Sequence, residues 1–298
     1  MSQDPNILSV LIVTYESADE IGGCLSSLPR ETSFGKVEVI VVDNDSKDGS
    51  ADLVERDFPH VRLIRAGGNF GFSRSNNLAY AEATGRVILF LNPDTVSNTP
   101  ALEACLSRVL QEPQVGIISP KLVLANGTLD LACRRSIPSV WDGFTRATGL
   151  AKFFPKVKAF AGYNLTYLPE NETYPVGAVN GAFMMIRREV LETIGLLDEQ
   201  FFMYGEDLDL CFRCQKAGFQ VIYDGRHTIT HLKGQSSAKN YRSASRQIFV
   251  ATEQFYQKNF NPNNSLLTRW KYHSLFFLWR VMAATLAFLL GYKRSRPL

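Results

Sequence analysis

Cysteine is scarce and odd in number: five residues, Cys24, Cys105, Cys133, Cys211 and Cys214, in a chain of 298. A scattered, odd set excludes the disulfide framework of a small secreted domain and leaves reduced thiols as the simple state. Cys211 and Cys214 form one C-x-x-C with no second pair, inside an amphipathic helical pattern, so both are expected to pack inward rather than hold zinc. The N-terminus, MSQDPNILSVLIV, has no basic region and only a strand-length apolar run, so no signal peptide is expected. The dinucleotide fingerprint G-x-G-x-x-G is missing, which argues against a plain NAD enzyme. No internal repeat or low-complexity tract is present. Acid is missing after Glu253, where Lys258, Arg269, Lys271, Arg280, Lys293, Arg294 and Arg296 are all basic. The net charge of +3 therefore conceals an acidic body and a basic, apolar tail. That distribution speaks against a nucleic-acid partner and for an anionic membrane surface met at one end.

What is present is a globular composition: 45% hydrophobic, 20% charged, with 21 Gly and 13 Pro. A chain of this size buries roughly three quarters of its unfolded surface, so any metal serves chemistry rather than folding. Apolar runs at residues 9–14, 37–42, 61–64, 87–91 and 115–119 predict strands, with helices over 18–28, 50–57, 73–83 and 100–111 between them. This is the pattern of a Rossmann-like, mainly parallel, doubly wound α/β sheet with strands buried on both faces. Periodicity weakens over residues 126–174, as expected of a long functional insertion. It resumes with a predicted strand over 179–186, a helix over 188–194, a helix after Glu206-Asp207, and two short strands at 220–223 and 228–231.

The tail predicts a helix over 241–260 and an apolar segment over 274–292 that approaches the roughly 20 residues of a bilayer span but is interrupted by Arg280. Trp270, Tyr272, Trp279 and Tyr292 beside Lys and Arg are the pattern of interfacial anchoring. Whether this segment lies on the membrane, packs on the domain or spans is left open by its length and charge. The expected organisation is a domain over 1–240, with a donor half (1–120) and an acceptor half (121–240), followed by a helical tail over 241–298.

In doubly wound sheets ligands sit beyond the carboxyl ends of the strands. Those positions are polar here: Thr14-Tyr15-Glu16, Asp43-Asn44-Asp45, the segment GGNFGF at 67–72, and Asn92-Pro93-Asp94. Any one could be an ordinary turn, whereas four on one edge indicate a site. Together with VTYES (13–17), VVDNDSKDGS (41–50), GGNFGFSRSNN (67–77), LFLNPDT (89–95), VNGAFMMIRREV (179–190), FFMYGEDLDLCFR (201–213) and HLKGQSS (231–237), the chain resembles the inverting, family-two nucleotide-sugar glycosyltransferases of the GT-A fold. The rhamnosyltransferase-like branch of bacterial polysaccharide assembly is the nearest resemblance. It covers residues 8–237.

The resemblance implies roles that the chemistry of a nucleotide diphospho-sugar makes sense of. Asp43 accepts from the pyrimidine, and Thr14, Tyr15 and Glu16 line the base. Asn69, Arg74 and Asn77 lie near the ribose or diphosphate, at a helix start that favours phosphate. Asn92-Pro93-Asp94 stands where the family often has Asp-x-Asp. Asn92 then bonds the ribose, and Asp94 with His231 holds Mg²⁺ or Mn²⁺, a site completed by substrate phosphates. Asp207 is the expected general base, with Glu206 orienting it or binding acceptor, while Asp209 is expected to face the fold. Their bland reading is helix capping. The expected reaction moves L-rhamnose from dTDP-L-rhamnose, with inversion, to a polyprenyl-diphosphate-linked saccharide at the cytoplasmic face of the plasma membrane. A UDP-sugar hexosyl or galactofuranosyl transferase, or a non-catalytic accessory protein, are the alternatives. A nucleotidyltransferase is disfavoured, because Thr14-Tyr15-Glu16-Ser17 replaces its glycine-rich phosphate loop.

Overall fold

Parallel β-α units form where the apolar runs are longest. In the computed structural model, which describes residues 6–232 and 241–261 with Ser265, Leu266 and Ser274, β1 (Leu8–Thr14) is buried at every position. It lies between β3 (Gly35–Asp43) and β5 (Val87–Leu91), parallel to both. Each fully buried Val, Leu or Ile in these strands contributes roughly 1.5–3 kcal/mol. The short β2 (Glu31–Thr32) and β4 (Arg62–Arg65) also pair with β3. Helices α1 (Ala18–Ser26), α2 (Ser50–Asp57), α3 (Gly71–Ala81) and α4 (Thr99–Gln111) fill the connections. Their starts are set by local polar chemistry. Asp48 Oδ2 accepts from Ala18 N–H at 2.8 Å, and Asn98 caps α4 by accepting from Ala101 N–H at 2.9 Å, with proline in the first turn.

The sheet is mixed rather than mainly parallel. β9 (Phe183–Arg187) runs antiparallel between β5 and β7 (Val115–Val123), and β10 (Gln220–His231) lies parallel to β7. Beyond β10 sit the two-residue β6 (Thr95–Val96) and β8 (Thr173–Pro175), both antiparallel to it. Two short strands expected at 220–223 and 228–231 are thus one, with a register shift between Asp224 and Thr228 that keeps it continuous. The strand expected from 179 begins at Phe183 instead. Asn180 Oδ1 accepts from Ala182 N–H at 3.0 Å, a local turn that competes with the ladder.

The insertion carries regular structure of its own. Arg135 bridges to Ala178, and α5 (Val140–Ala147) opens with a reciprocal capping box between Ser139 and Asp142. A one-turn α6 (Leu150–Phe153) follows. Then come α7 (Arg188–Ile194) and α8 (Glu206–Lys216), the latter starting after Gly205 at φ +84° with three acids in its first turn. Cys211 and Cys214 on α8 are buried and free, and burial pushes the Cys214 thiol up to about 12.

The last described helix, α9 (Tyr241–Phe260), docks on α8. Phe255 and Phe260 pack against Phe212 with ring centroids 5.5 and 5.3 Å apart. Asp209, fully buried, accepts from Arg213 Nε at 2.8 Å, Lys258 Nζ at 2.9 Å and Asn259 Nδ2 at 3.0 Å. It faces the fold, as its position on the helix predicts. Among the described residues no helix is long and apolar enough to cross a membrane. The segment expected over 274–292 lies almost wholly outside the described residues.

Candidate active site

Thr14 and Asp43 end adjacent parallel strands and pair in register, so both side chains meet at the carboxyl edge of the sheet. Both are buried, and each keeps an oxygen without a partner: Thr14 Oγ1 and Asp43 Oδ1. The other Asp43 oxygen accepts from Ser46 N–H at 3.1 Å. Tyr15, next along, is half exposed. Glu16 takes a positive φ of 52° and accepts from Lys47 N–H at 2.8 Å, so it braces the loop after β3.

The glycine-containing loop after β4 leads into α3. Asn69 Oδ1 accepts from Gly71 N–H at 3.1 Å, and the Arg74 guanidinium lies 4.2 Å from the centroid of the Phe70 ring. Asn77 lies farther along α3. Its amide donates to Leu197 O at 2.9 Å and Glu199 Oε1 at 3.0 Å, fastening α3 to the loop before α8. Gly71 has φ +80°, and a Cβ there would stand 2.3 Å from Phe202 O. Phe72 N–H donates to that same carbonyl at 2.7 Å, so this loop meets the one preceding Glu206 without an intervening side chain.

Asn92-Pro93-Asp94 follows β5. The pairing of β6 with β10 sets Thr95 opposite His231, and Leu232 N–H donates to Asp94 O at 2.8 Å. His231 Nε2 thereby lies 3.3 Å from Asp94 Oδ1, a buried oxygen with no hydrogen-bond partner but that imidazole. On the other side of the ring, His231 Nδ1 lies 2.9 Å from Asp130 Oδ2. Burial opposes charge on this imidazole, but the bonds to Asp130 and Asp94 outweigh it and push the pKa up to about 9. Asp130 was not foreseen from the sequence, because nothing in the spacing of the insertion marks it.

These residues suit a divalent cation of the oxygen- and imidazole-seeking kind. Asp94 Oδ1 and His231 Nε2 face one another with no further partner, while Asp130 orients the ring through its other nitrogen, the usual support of a metal-bound histidine. Among the described residues no three His, Cys, Asp or Glu groups gather as a metal cluster, so further ligands would have to come from phosphate or water.

Asp207 opens α8 beside the loop of residues 180–182. Its Oδ2 accepts from Arg135 at 2.6 Å and from Gly181 N–H at 3.3 Å, and its Oδ1 from Leu208 N–H at 2.7 Å. An ionised carboxylate has about four acceptor positions, so one remains for an incoming hydroxyl. Burial works against the Arg135 charge, but Asp207 beside it outweighs burial and raises the guanidinium pKa. Arg135 is the second residue that sequence reasoning missed. Its own Arg-Arg context carries no signal, and only the Ala178 bridge brings it to α8. Glu206 is buried with Oε2 unpartnered, and burial with the neighbouring Asp207 charge pushes its carboxyl up to about 8.

One turn joins the two sets. Ala182 O accepts from Asn92 N–H and from the Thr95 hydroxyl, each at 3.1 Å, while the adjacent Gly181 N–H points at Asp207. An open cavity of about 310 Å³, lined by Gln200, Phe202, Met203, Gln247, Val250 and Gln254, lies beside the loop that leads into Glu206. A buried carboxylate with one free acceptor position, a facing Asp–His pair and unpartnered oxygens at two strand ends can accept from the hydrogen-bond donors of a polar ligand, hold a cation that an anionic group would meet, and take a proton beside it.

Comparison with known proteins identifies the family and the fold. The model of glycosyl transferase family 2 matches residues 9–195. An N-acetylglucosaminyl-diphospho-decaprenol L-rhamnosyltransferase of Mycobacterium tuberculosis is 29% identical over 246 residues, 79% of each chain. The rhamnosyltransferase WbbL of Escherichia coli is 28% identical over 226 residues, 72% of this chain and 79% of its own. Among solved structures, a Pyrobaculum calidifontis mannosyltransferase in complex with GDP-Man and Mn²⁺ superposes with TM-score 0.59 at 18% identity, covering 99% of this chain and 78% of that one. The fold is therefore GT-A-like, and because the family model covers residues 9–195, more than half of its length, the chain belongs to glycosyl transferase family 2.

Proposed function

We propose that this glycosyltransferase moves L-rhamnose from dTDP-L-rhamnose, with inversion, to a saccharide carried on polyprenyl diphosphate. The observation that carries the reading is the 180–182 turn, which holds the Asn92–Thr95 segment on one side and Asp207 on the other. The rhamnosyl donor and lipid-linked acceptor are supported by the two rhamnosyltransferase relatives, one of them named for a decaprenol diphosphate. The domain divides accordingly, with donor contacts in residues 1–120, the acceptor side in 121–240 and a basic tail over 241–298 that meets the cytoplasmic leaflet.

Asp43 and Thr14 offer their unpartnered oxygens to the base, with Tyr15 against its face and Glu16 holding the loop. Asn69, Arg74 and Asn92 serve the ribose and diphosphate, and Asn77 acts from behind by tethering α3. Asp94 and His231 would hold Mg²⁺ or Mn²⁺, which supplies charge neutralisation for the departing diphosphate. The acceptor hydroxyl gives its proton to Asp207 as its oxygen forms a bond to the anomeric carbon. The bond from that carbon to the phosphate oxygen breaks, and its electron pair leaves with dTDP. Arg135 fixes the Asp207 carboxylate in place. Glu206, neutral near pH 7 at its raised pKa, orients the acceptor by hydrogen bonding.

Calorimetry with dTDP, UDP and GDP, each with and without Mn²⁺, beside D94A, tests the donor site. Transfer from dTDP-L-rhamnose and from UDP-hexoses to a lipid-linked N-acetylglucosamine acceptor, with the product anomer read by NMR, tests the reaction. Metal-dependent dTDP binding lost in D94A, with an inverted product, is expected. Turnover with a UDP-sugar alone overturns the donor, and absence of nucleotide binding overturns catalysis.

A further inference from the structure

The insertion between Arg135 and β8 presents an exposed apolar surface beside basic side chains. From Gly143 to Pro169 there is no acidic residue, while Arg146, Lys152, Lys156 and Lys158 are basic. In the same stretch and just before it, large apolar side chains stand outward. Phe153 is 74% exposed, Val140 54%, Trp141 50%, Phe154 48% and Val157 43%. They are not loose. Trp141 stacks on Phe144 with centroids 5.2 Å apart and donates from Nε1 to Ala159 O at 2.6 Å, and Phe154 packs on Phe160 at 5.5 Å. Arg146 lies over the Tyr163 ring at 4.7 Å. The patch is thus a shaped platform with an aromatic tip and basic flanks.

We infer that the α5–α6 insertion docks on an anionic lipid bilayer, with Phe153 and its aromatic neighbours entering the interface and the lysines meeting the head groups. Aromatic side chains favour the membrane–water interface, and basic residues beside an anionic leaflet add attraction there. Apolar tip and acid-free flank are complementary to that surface in both polarity and charge. A second protein copy would bring the same basic flank against itself, a like-charge contact.

Position gives the surface a purpose. Arg135, which grips Asp207, is only six residues before Trp141, a span of at most ~22 Å even fully extended. Tyr256 of α9 donates to Pro138 O inside that span, so the platform is tied to the body at its root. A membrane held there places the diphosphate end of a lipid-linked acceptor within reach of Asp207. This purpose rests on the proposed function, whereas the surface itself does not.

The test uses the full chain carrying W270F and W279F, which leaves Trp141 as the only tryptophan. Its emission is followed with vesicles of phosphatidylcholine alone and of equimolar phosphatidylcholine and phosphatidylglycerol, with and without brominated acyl chains. A blue shift and bromine quenching with the anionic vesicles only are expected. In the K152E/K156E/K158E variant, co-sedimentation with those vesicles should fall at least about tenfold. F153S should reduce the quenching with an unchanged thermal midpoint. Vesicle binding with an unshifted, unquenched Trp141 overturns the inference and assigns the membrane to the tail alone. Equal sedimentation of the charge-reversed variant overturns it as well, as does a dimer that dissociates in F153S without any lipid effect. Calorimetry with dTDP on the same preparations reads the donor site separately. Vesicle binding without nucleotide binding defeats the enzymatic reading and keeps the surface, and the reverse outcome defeats the surface alone.

Discussion

Asp207 and Asp209 stand two residues apart on one helix and live in opposite circumstances. Asp209 is closed off: Lys258 Nζ lies 2.9 Å from both of its oxygens, and Arg213 and Asn259 donate to one each. Asp207, with three donors, retains an open acceptor position, the adjacent Glu206 buries an oxygen with no partner, and so do Thr14 and Asp43 at the strand ends. Leaving a buried polar atom unpaired costs roughly 1–3 kcal/mol, so a fold tolerates several in one place only where something else completes them. Saturation suits an acid that builds the fold, and incompletion suits the base that the proposed reaction requires.

The contrast can be broken from either side. D207N should lower turnover per folded molecule by about 10²- to 10⁴-fold and cost ~1–3 kcal/mol of stability, because the amide has one acceptor oxygen where Arg135, Gly181 and Leu208 all donate. D209A should spare turnover per folded molecule. Removing it leaves Lys258 with Asp198 and Arg213 with the carbonyls of residues 194–196, so the lost bonds should cost ~1–3 kcal/mol in denaturant unfolding. Glu206 sharpens the comparison through pH. Its folded pKa, about 8, lies above the ordinary carboxylate value, so the folded state holds the extra proton between those limits. Stability should therefore fall as pH rises from about 4.3 to 8, and E206Q should flatten that slope, gaining ~1–3 kcal/mol at the alkaline end. The smallest effect is expected of T14V, which removes an unpartnered hydroxyl. Unfolding free energy should change by less than ~1 kcal/mol while dTDP affinity measured by calorimetry falls several-fold.

The β-α units were legible because their apolar runs are long and their turns chemically distinct. Helices expected at 50–57 and 100–111 fall within a residue of α2 and α4. The orientation of β9 was not legible, since an apolar run looks the same read in either direction. Nor was its late start, which a single Asn180 turn decides. At the site, strand-end positions such as Thr14, Asp43 and Asp94 could be singled out because topology alone sends them to one edge. Asp130 and Arg135 could not, for their importance comes from partners 101 and 72 residues away. Asn77 shows the converse: a polar residue in a promising motif whose amide is engaged by Leu197 and Glu199. The two helices of the insertion are short, and scattered prolines and aromatics hide their period.

The close approach of Gly71 to Phe202 has a consequence for the two substrates. Two loops that share one backbone contact cannot settle independently, so a nucleotide that stiffens the start of α3 also stiffens the approach to Glu206 and Asp207. The two substrates then become thermodynamic partners: whatever factor the donor lends to acceptor affinity, the acceptor must return to the donor. Under the proposed reaction, a donor held at the start of α3 should raise acceptor affinity, and the acceptor donor affinity, by one and the same factor.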